Sequence, residues 1–255
     1  MPTSSSERRE FSNDHPHDRA RARVSERRLR GTSKPMATWT AAPFVPPSGG
    51  LRGLARASQG CQGCPLYQAA TQTVFGEGPA SARIVLVGEQ PGDQEDRQGE
   101  PFVGPAGRML WRCVEEAGLD RSALYVTNAV KHFKHEDRGK RRLHKKPTVD
   151  EIDACHPWLE AELAAVRARV VVGLGATAAR ALLGRSVGIA ASRGEIFDAA
   201  GHQVVVTYHP SAILRATDEA RAIRHDLVAD LRAAGELAGG DTTKGRRPAA
   251  APSEA

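Results

Sequence analysis

The chain has 255 residues, which is enough for one α/β domain with a complete core and flexible ends. Its formal net charge of +6 suits a polyanionic partner without identifying one. The sequence shows neither an apolar run long enough to span a membrane nor the apolar core of a signal peptide. We therefore expect a soluble intracellular protein whose thiols stay reduced.

Composition divides the chain into three parts. Residues 1–50 are predicted to be a disordered basic arm, because the first 34 are rich in Ser and Arg and the rest are interrupted by Pro and Gly. Residues 51–237 are predicted to form the folded domain, and residues 238–255 a disordered tail. The arm either adds sequence-independent affinity for nucleic acid or is a solvated leader or a misassigned start.

Four short apolar runs predict a parallel sheet, since strands buried on both faces have this pattern. They are residues 83–88, 123–127, 169–173 and 203–207. Helical patterns separate them, so the predicted fold class is α/β: a three-layer α/β/α sandwich with a central four-stranded parallel sheet.

The predicted helices cover residues 106–117, a segment opened by a capping box at Thr148, residues 176–183 and residues 218–237. Pro157 is expected to break or kink the second of these helices soon after Cys155.

Polar segments follow all four predicted strands, beginning at Glu89, Asn128, Leu174 and Tyr208. Ligands of open α/β sheets bind outside the carboxyl ends of the strands. These segments are therefore expected to converge on one crevice.

Three cysteines are candidate ligands of a metal centre. Cys61 and Cys64 have the Cys-x-x-Cys spacing that lets both sulfurs reach one centre, and Cys155 comes much later, in a predicted helix. Spacing does not separate Zn²⁺ from an iron–sulfur cluster, because thiolate-rich sites suit both.

The fourth ligand has several candidates. Cys113 lies on the apolar stripe of its helix, where a free cysteine behaves as a small hydrophobic residue. His132, just past the second strand, is better placed, and His156, beside Cys155, is a weaker candidate.

Four motifs occur in order, each at a strand end or in the next turn. They are Gly-Glu-Gln-Pro-Gly at 88–92, Gly-Glu-Pro-Phe-Val-Gly-Pro-Ala-Gly at 99–107, Thr-Asn-Ala-Val-Lys at 127–131 and His-Pro-Ser at 209–211. This series resembles the iron–sulfur (family 4) uracil-DNA glycosylases over about residues 50–235. The resemblance implies the uracil-DNA glycosylase fold and the excision of uracil from DNA.

Two departures from family 4 are similar to its UdgX subgroup. Family 4 members usually have Cys where this chain has His132, and residues 139–146 (Gly-Lys-Arg-Arg-Leu-His-Lys-Lys) lengthen the following loop. UdgX-type members have Lys-Arg-Arg-Ile-His there and bond covalently to the abasic sugar after losing uracil. Leu143 in place of Ile keeps an apolar anchor. The resemblance implies that His144 bonds to C1′ of the abasic site.

The resemblance also implies a [4Fe–4S] cluster, with Cys61, Cys64, His132 and Cys155 as its ligands. His209 would stabilise the anionic leaving group, and Glu89 would orient His144 and accept its proton.

Uracil binding and DNA binding are assigned to further residues. Phe102 is the candidate stacking platform, the amide of Asn128 would read the uracil edge, and Gln90 would contact the base or the attack site. Contacts with the DNA backbone are expected from Lys140, Arg141, Arg142, Lys145, Lys146 and Ser211.

Each assignment has a structural alternative. Phe102 also fits a core, Asn128 a turn and His209 a loop bonded to backbone. Residues 138–146 also fit a basic loop that grips phosphates, with the histidine incidental.

Two alternative functions stay open: a conventional glycosylase that turns over, and a non-catalytic metal-bearing module that binds DNA. The expected partner is uracil-containing DNA, including single strands. The protein is expected to be a monomer of the bacterial cytoplasm, associated with the nucleoid when bound to DNA.

Overall fold

The computed structural model describes residues 39–239. Within them lie seven strands: β1 (Ile84–Gly88), β2 (Leu124–Asn128), β3 (His135–Arg138), β4 (Arg141–His144), β5 (Val170–Leu174), β6 (Ile196–Ala199) and β7 (His202–Thr207). The α-helices are α1 (Gly50–Ser58), α2 (Asp93–Gln98), α3 (Pro105–Glu116), α4 (Val149–Ala165), α5 (Ala176–Leu183), α6 (Ile189–Ser192), α7 (Pro210–Arg215) and α8 (Ala220–Leu237).

The central sheet has five strands in the order β2-β1-β5-β7-β6. The four strands predicted from apolar runs are β1, β2, β5 and β7, and they pair in parallel as expected. The prediction of four strands missed β6, which pairs antiparallel to β7 at the edge of the sheet. Ala200 and Gly201 join β6 to β7 with φ values of +49° and +80°, the positive values that a two-residue type I′ turn requires.

Helices cover both faces of the sheet, so the predicted α/β/α sandwich is confirmed. Alternate residues of a strand face opposite sides: Val85 and Val87 belong to one buried cluster, and Ile84 and Leu86 to the other. The first cluster includes Trp158 and other α4 residues, and the second includes residues of α3 and α8.

Helix α4 continues through Pro157, so the expected break is wrong, while the alternative expectation of a kink stays a prediction. A proline inside a helix costs about 3 kcal/mol through a lost hydrogen bond and a steric clash. The turns that follow bury Trp158, Leu159 and Leu163 against the sheet, and each fully buried large apolar side chain contributes about 1.5–3 kcal/mol. The capping box at Thr148 is confirmed.

Ordered structure begins before residue 51, the predicted start of the domain. Ala41 is buried, and its N–H donates to the carbonyl of Ala154 in α4 at 2.8 Å. The remainder of the predicted arm (1–38) and nearly all of the predicted tail (240–255) lie outside the described residues. Between residues 39 and 239, no helix is long and apolar enough to cross a bilayer.

Strands β3 and β4 form a hairpin where the sequence predicts a loop. Gly139 and Lys140 form its two-residue turn, and Gly139 has a φ of +61°. His135 and His144 are paired at the open end of the hairpin. The base of the hairpin lies beside the residues that follow β1, because Lys134 and Lys145 at its two ends both bond to Gln90.

Candidate active site

The carboxyl ends of the parallel strands open into a cleft of about 960 Å³. Glu89, Asn128, Leu174 and Tyr208 each follow or end one of these strands, and all four line the cleft. The expected convergence on one crevice is therefore confirmed. The cleft wall also includes Phe102, His144, Lys146, His209, Ser211 and Arg215.

The hairpin is attached to the domain by Arg142. Its guanidinium forms ion pairs with Asp93 at 2.5 Å and Asp96 at 2.6 Å, and it donates to Thr71 Oγ1 at 3.1 Å. The Arg142 side chain is only 14% exposed. Its predicted contact with a DNA phosphate is therefore not supported, because its charge is neutralised and its donors are used by the protein.

Strand alternation explains how the hairpin presents His144. Side chains two residues apart share a face, so the pairing of Arg142 with α2 turns His144 toward the cleft. Arg141 and Leu143 belong to the opposite, exposed face. Leu143 is 36% exposed and is not the expected apolar anchor within the protein.

His144 lies beside Glu89. Its Nε2 is 3.4 Å from Glu89 Oε1 and 2.9 Å from Gln90 Nε2. Burial lowers the pKa of His144 below its usual value, nearby Arg215 acts in the same direction, and Glu89 opposes them. The net shift favours a neutral ring with a free lone pair at neutral pH.

Gln90 binds the base of the hairpin. Its Oε1 accepts from Lys134 N at 3.0 Å, while its Nε2 donates to the carbonyls of Lys134 at 3.2 Å and Lys145 at 3.0 Å. An amide nitrogen carries two hydrogens, and three possible acceptors surround this one: the two carbonyls and His144 Nε2. Gln90 thus holds the two ends of the hairpin together, and this leaves little capacity for the predicted uracil contact.

Glu89 is fixed from the side opposite His144. Its Oε2 accepts from the hydroxyl of Thr177, in the first turn of α5. This contact directs Oε1 toward His144. The sequence did not single out Thr177, because a threonine in a short Ala-rich helix carries no chemical signature of its own.

His209 is held in one tautomer. Its Nδ1 accepts from the backbone N–H of Ser211 at 3.2 Å and lies 2.7 Å from the Ser211 hydroxyl. Arg215 in turn donates to that hydroxyl oxygen at 2.8 Å. Burial lowers the pKa of His209 to about 4, with Arg215 and His144 acting in the same direction. The ring is therefore neutral and carries its hydrogen on Nε2.

Ser211 has a different environment from the one predicted. Its hydroxyl lies between His209 and Arg215 rather than free for a DNA phosphate. Arg215 was not among the predicted residues, although it follows the His-Pro-Ser motif by one helical turn. Its exposed position at the cleft makes it a cation that DNA could reach.

Phe102 has a strained backbone, with a φ of +56°. A Cβ on Gly107 would lie 1.9 Å from the Phe102 carbonyl oxygen, so this close approach requires glycine at 107. Trp111 Nε1 donates to the same oxygen at 3.1 Å. Backbone strain of this kind is typical of functional sites.

Asn128 and Phe102 meet at Gly88. A Cβ on Gly88 would lie 2.4 Å from Asn128 Oδ1 and 2.7 Å from Phe102 Cζ. The missing side chain therefore lets an amide and an aromatic ring approach each other at the base of the cleft. Both side chains are nearly buried, at 3% and 5% exposure.

The candidate metal ligands are buried on one side of the sheet. Cys61, Cys64 and Cys155 belong to the same core cluster, whereas Cys113 belongs to the cluster on the other face. The charges of Cys61 and Cys64 both act on Cys155. The three thiols therefore lie on one side of the sheet, and Cys113 lies on the other.

Two N–H groups point at these sulfurs. Trp158 Nε1 donates to Cys61 Sγ at 3.2 Å, and Lys131 N donates to Cys155 Sγ at 3.3 Å. Burial raises the pKa of Cys64 to about 11 and that of Cys155 to about 12. Thiolates at these positions would thus need a bound cation, and N–H···S bonds are typical of iron–sulfur sites.

The predicted ligands do not form a ready site for a single ion. No group of three or more His, Cys, Asp or Glu side chains within residues 39–239 is close enough to hold one metal ion. Cys61, Cys64, His132 and Cys155 would be the residues to hold the predicted cluster. His132 is buried next to Lys131, and burial lowers its pKa to about 4, which leaves it neutral as a ligand must be.

Comparison with known proteins identifies the family. Residues 75–232 match the model of the uracil DNA glycosylase superfamily. A type-4 uracil-DNA glycosylase of Thermotoga maritima is 38% identical over 176 residues, which cover 68% of this chain and 87% of the relative. One from Archaeoglobus fulgidus is 32% identical over 197 residues, covering 74% and 94%. The chain therefore belongs to the uracil DNA glycosylase superfamily.

Proposed function

We propose that the protein removes uracil from DNA by cleaving the N-glycosidic bond. The observation that carries the proposal is the bond from Ser211 N–H to His209 Nδ1, because it leaves the ring hydrogen on Nε2, where it can donate to a uracil oxygen that becomes anionic. The named activity of the type-4 relatives supports the same reaction.

Each of these cleft residues has a separate role in the reaction. Phe102 stacks on the flipped base, and the Asn128 amide pairs with its edge, which distinguishes uracil from cytosine. The N1–C1′ bond breaks with its electron pair going to uracil, whose anion is stabilised by the His209 Nε2 hydrogen. Water then adds to C1′, and Glu89 accepts the proton that it loses.

A [4Fe–4S] cluster held by Cys61, Cys64, His132 and Cys155 is part of the proposal. When bound, it would supply a cross-link between the loop at 61–64, the segment after β2 and helix α4. Its support is the burial of three thiols in one core cluster, with N–H donors on two of the sulfurs.

Uracil release by a His209→Ala variant tests the reaction. A labelled single-stranded oligonucleotide with one uracil is incubated with protein and then cleaved with alkali, with a thymine oligonucleotide as blank. Loss of one preorganised donor is expected to slow release by about 100-fold or more. His225→Ala, a change of an exposed histidine on α8, should leave the rate unchanged. Equal rates in both variants would remove His209 from the reaction.

A second candidate is capture of the abasic site by His144. The specific observation in its favour is that the hairpin directs His144 into the cleft, with Nε2 3.4 Å from Glu89. After uracil leaves with the bonding pair, the lone pair of a neutral ring nitrogen forms a bond with C1′. The resulting imidazolium loses its other ring proton to Glu89, which leaves an alkylated neutral ring.

Electrophoresis after boiling in SDS separates capture from turnover. Capture predicts a shifted DNA band with the uracil oligonucleotide and none with the thymine control. It also predicts that His144→Ala loses the band but still produces alkali-sensitive sites. Alkali-sensitive sites without a shifted band in the parent protein would establish the conventional glycosylase instead.

Exposed cations near the cleft are proposed to hold the DNA backbone. Lys140 and Arg141 lie at the tip of the hairpin, and Lys146 lines the cleft. Lys145 forms an ion pair with Glu136, and both side chains are more than half exposed, so DNA can compete for this lysine. Such contacts make affinity fall as salt rises.

A further inference from the structure

Lys131 and Glu162 form an ion pair behind the cleft in which both side chains are 0% exposed. A buried pair of this kind contributes little net stability, because removing two charges from water offsets their attraction. Lys131 contacts both Cys155 and the Asn128 carbonyl, so the pair lies between the sulfur site and the cleft.

Every hydrogen of the ammonium has an acceptor. Lys131 Nζ donates to Glu162 Oε2, to Thr127 Oγ1 at 2.7 Å and to the Asn128 carbonyl at 2.7 Å. The ammonium carries three hydrogens, so it is fully used and cannot rotate freely. Glu162 is fixed in turn, since it also accepts from Gly76 N, Tyr125 OH and Thr127 Oγ1.

The bond to the Asn128 carbonyl fixes the backbone from which the Asn128 side chain projects. Asn128 is the last residue of β2. The next two residues stay bonded to the end of β1, because Ala129 N and Val130 N donate to the carbonyls of Gly88 and Glu89. With the Asn128 carbonyl also held, the whole peptide unit at the base of the cleft is fixed. A fixed peptide keeps the side-chain amide ready for the base edge.

The same residue contacts the sulfur site. The Lys131 backbone N–H donates to Cys155 Sγ at 3.3 Å. Its ammonium lies 5.7 Å from the Phe75 ring, and that ring meets Trp158 edge-on at 6.1 Å. One residue thus joins the cysteines on one side to Asn128 on the other.

We propose that Lys131, fixed by Glu162, is a positioning residue that couples the cysteine site to recognition of uracil by Asn128. This inference rests on the proposed function, because that function gives Asn128 the role of binding the uracil edge. It identifies the buried ion pair as the connection through which the metal-binding side of the domain supports the cleft.

A double-mutant cycle tests the positioning role. The variant Lys131→Met/Glu162→Gln removes both charges together, which avoids leaving one buried and unpaired. It is expected to lower kcat/KM for the uracil oligonucleotide by about tenfold, the size of one or two oriented hydrogen bonds. In an Asn128→Ala background the same change should cost less than about twofold, because its target is gone. Equal losses in both backgrounds would show a merely structural role.

Iron retention tests the coupling independently of activity. The purified variant is expected to lose iron to a ferrous chelator several times faster than the parent, and unchanged loss would overturn the coupling. The matched control is Arg224→Met/Glu116→Gln, which neutralises an arginine–glutamate ion pair between α8 and α3, the helices of the other core cluster. Within the described residues this pair contacts neither the cysteine site nor Asn128, so the control should match the parent in both assays.

Two further measurements distinguish a variant that does not fold, a wrong proposed function and a wrong role for Lys131. If the charge-free variant does not fold, Thr127→Val replaces it, since it removes one ammonium acceptor and leaves both charges. The same cycle with Asn128→Ala then applies, with the same deciding outcomes. A parent protein that releases no uracil would refute the proposed function, whereas an active parent with additive losses would refute only the role of Lys131.

Discussion

Phe102 and Ala200 are the two non-glycine residues with positive φ in the part of the chain that the structure describes. The φ of Ala200 belongs to a hairpin turn, but Phe102 faces the cleft. A left-handed conformation costs about 1–3 kcal/mol and persists only where the surroundings impose it. The bond from Trp111 to the Phe102 carbonyl is one such constraint.

Trp111→Phe should therefore weaken base binding. It removes the N–H donor and keeps an aromatic ring against Phe102. We expect KM for the uracil oligonucleotide to rise by about two- to tenfold, with kcat less affected, because one hydrogen bond is lost. Arg121→Ala is the control, since Arg121 lies 4.1 Å over the same indole without touching Phe102. A KM equal to the parent's would contradict the support role of Trp111.

The protonation of His144 predicts how capture depends on pH. Its pKa is lowered, chiefly by burial, so the nucleophilic neutral form persists through neutral and alkaline pH. Below the folded pKa, capture should fall by about tenfold per pH unit, since the protonated ring has no lone pair. Quenched reactions between pH 5 and 9 measure the adduct and, after alkali, the total uracil released. A rise in the adduct fraction toward pH 5 would contradict a neutral His144 nucleophile.

At the scale of elements, the hairpin depends on one side chain for its attachment to α2. Arg142→Met removes both ion pairs, and charged hydrogen bonds of this kind are worth about 1.5–3 kcal/mol each. We expect capture to slow by at least about tenfold, while uracil release, which uses His209, is largely kept. The two rates come from the SDS and alkali assays on the same samples.

Arg141→Met is the matched control, because Arg141 is the preceding residue on the exposed face of the same strand. It should weaken DNA binding at low salt and leave the rate of capture by bound protein unchanged. If Arg142→Met captured DNA as fast as Arg141→Met, the ion pairs would not position His144.

The elements differ in how well the sequence predicts them. The four parallel strands are evident because continuous apolar runs are needed wherever both faces are buried. Strands β3 and β4 have no such run, since all their residues are exposed or half-buried. Their attachment depends on Arg142 meeting acids 46 and 49 positions earlier, a pairing that local pattern does not reveal.

The active-site residues also differ in how well the sequence predicts their roles. Convergence of Glu89, Asn128 and His209 follows from parallel topology, which any series of polar residues at strand ends reveals. The role of Gln90 does not follow from topology. An amide beside Glu89 suggests a contact with the base, and only the structure of the hairpin shows that Gln90 bonds to Lys134 instead. Likewise, the local steric effect of Pro157 predicts that the helix ends there. The helix continues because the turns that follow bury apolar side chains.

For the molecule as a whole, the two faces of the sheet separate the cysteines into one group of three and one alone. Cys61, Cys64 and Cys155 share a core cluster with α1 and α4, while Cys113 is fully buried on α3 against the opposite face. A sheet with packed layers on both sides places these groups about 10 Å or more apart. A cluster bound by the three thiols would therefore exclude Cys113.

Cys155→Ala and Cys113→Ala compare the two faces directly. Cys155→Ala should lose most of the iron and the absorbance near 400 nm, and its midpoint of thermal unfolding should fall, because the cross-link to α4 is gone. Cys113→Ala should keep iron and absorbance and lose only about 1–2 kcal/mol of stability from the small cavity that it leaves. Iron analysis, visible spectra and thermal unfolding of both variants decide the matter. Iron retained by Cys155→Ala, or lost from Cys113→Ala, would refute the proposed ligand set, and zinc in the parent would replace the cluster with a zinc site.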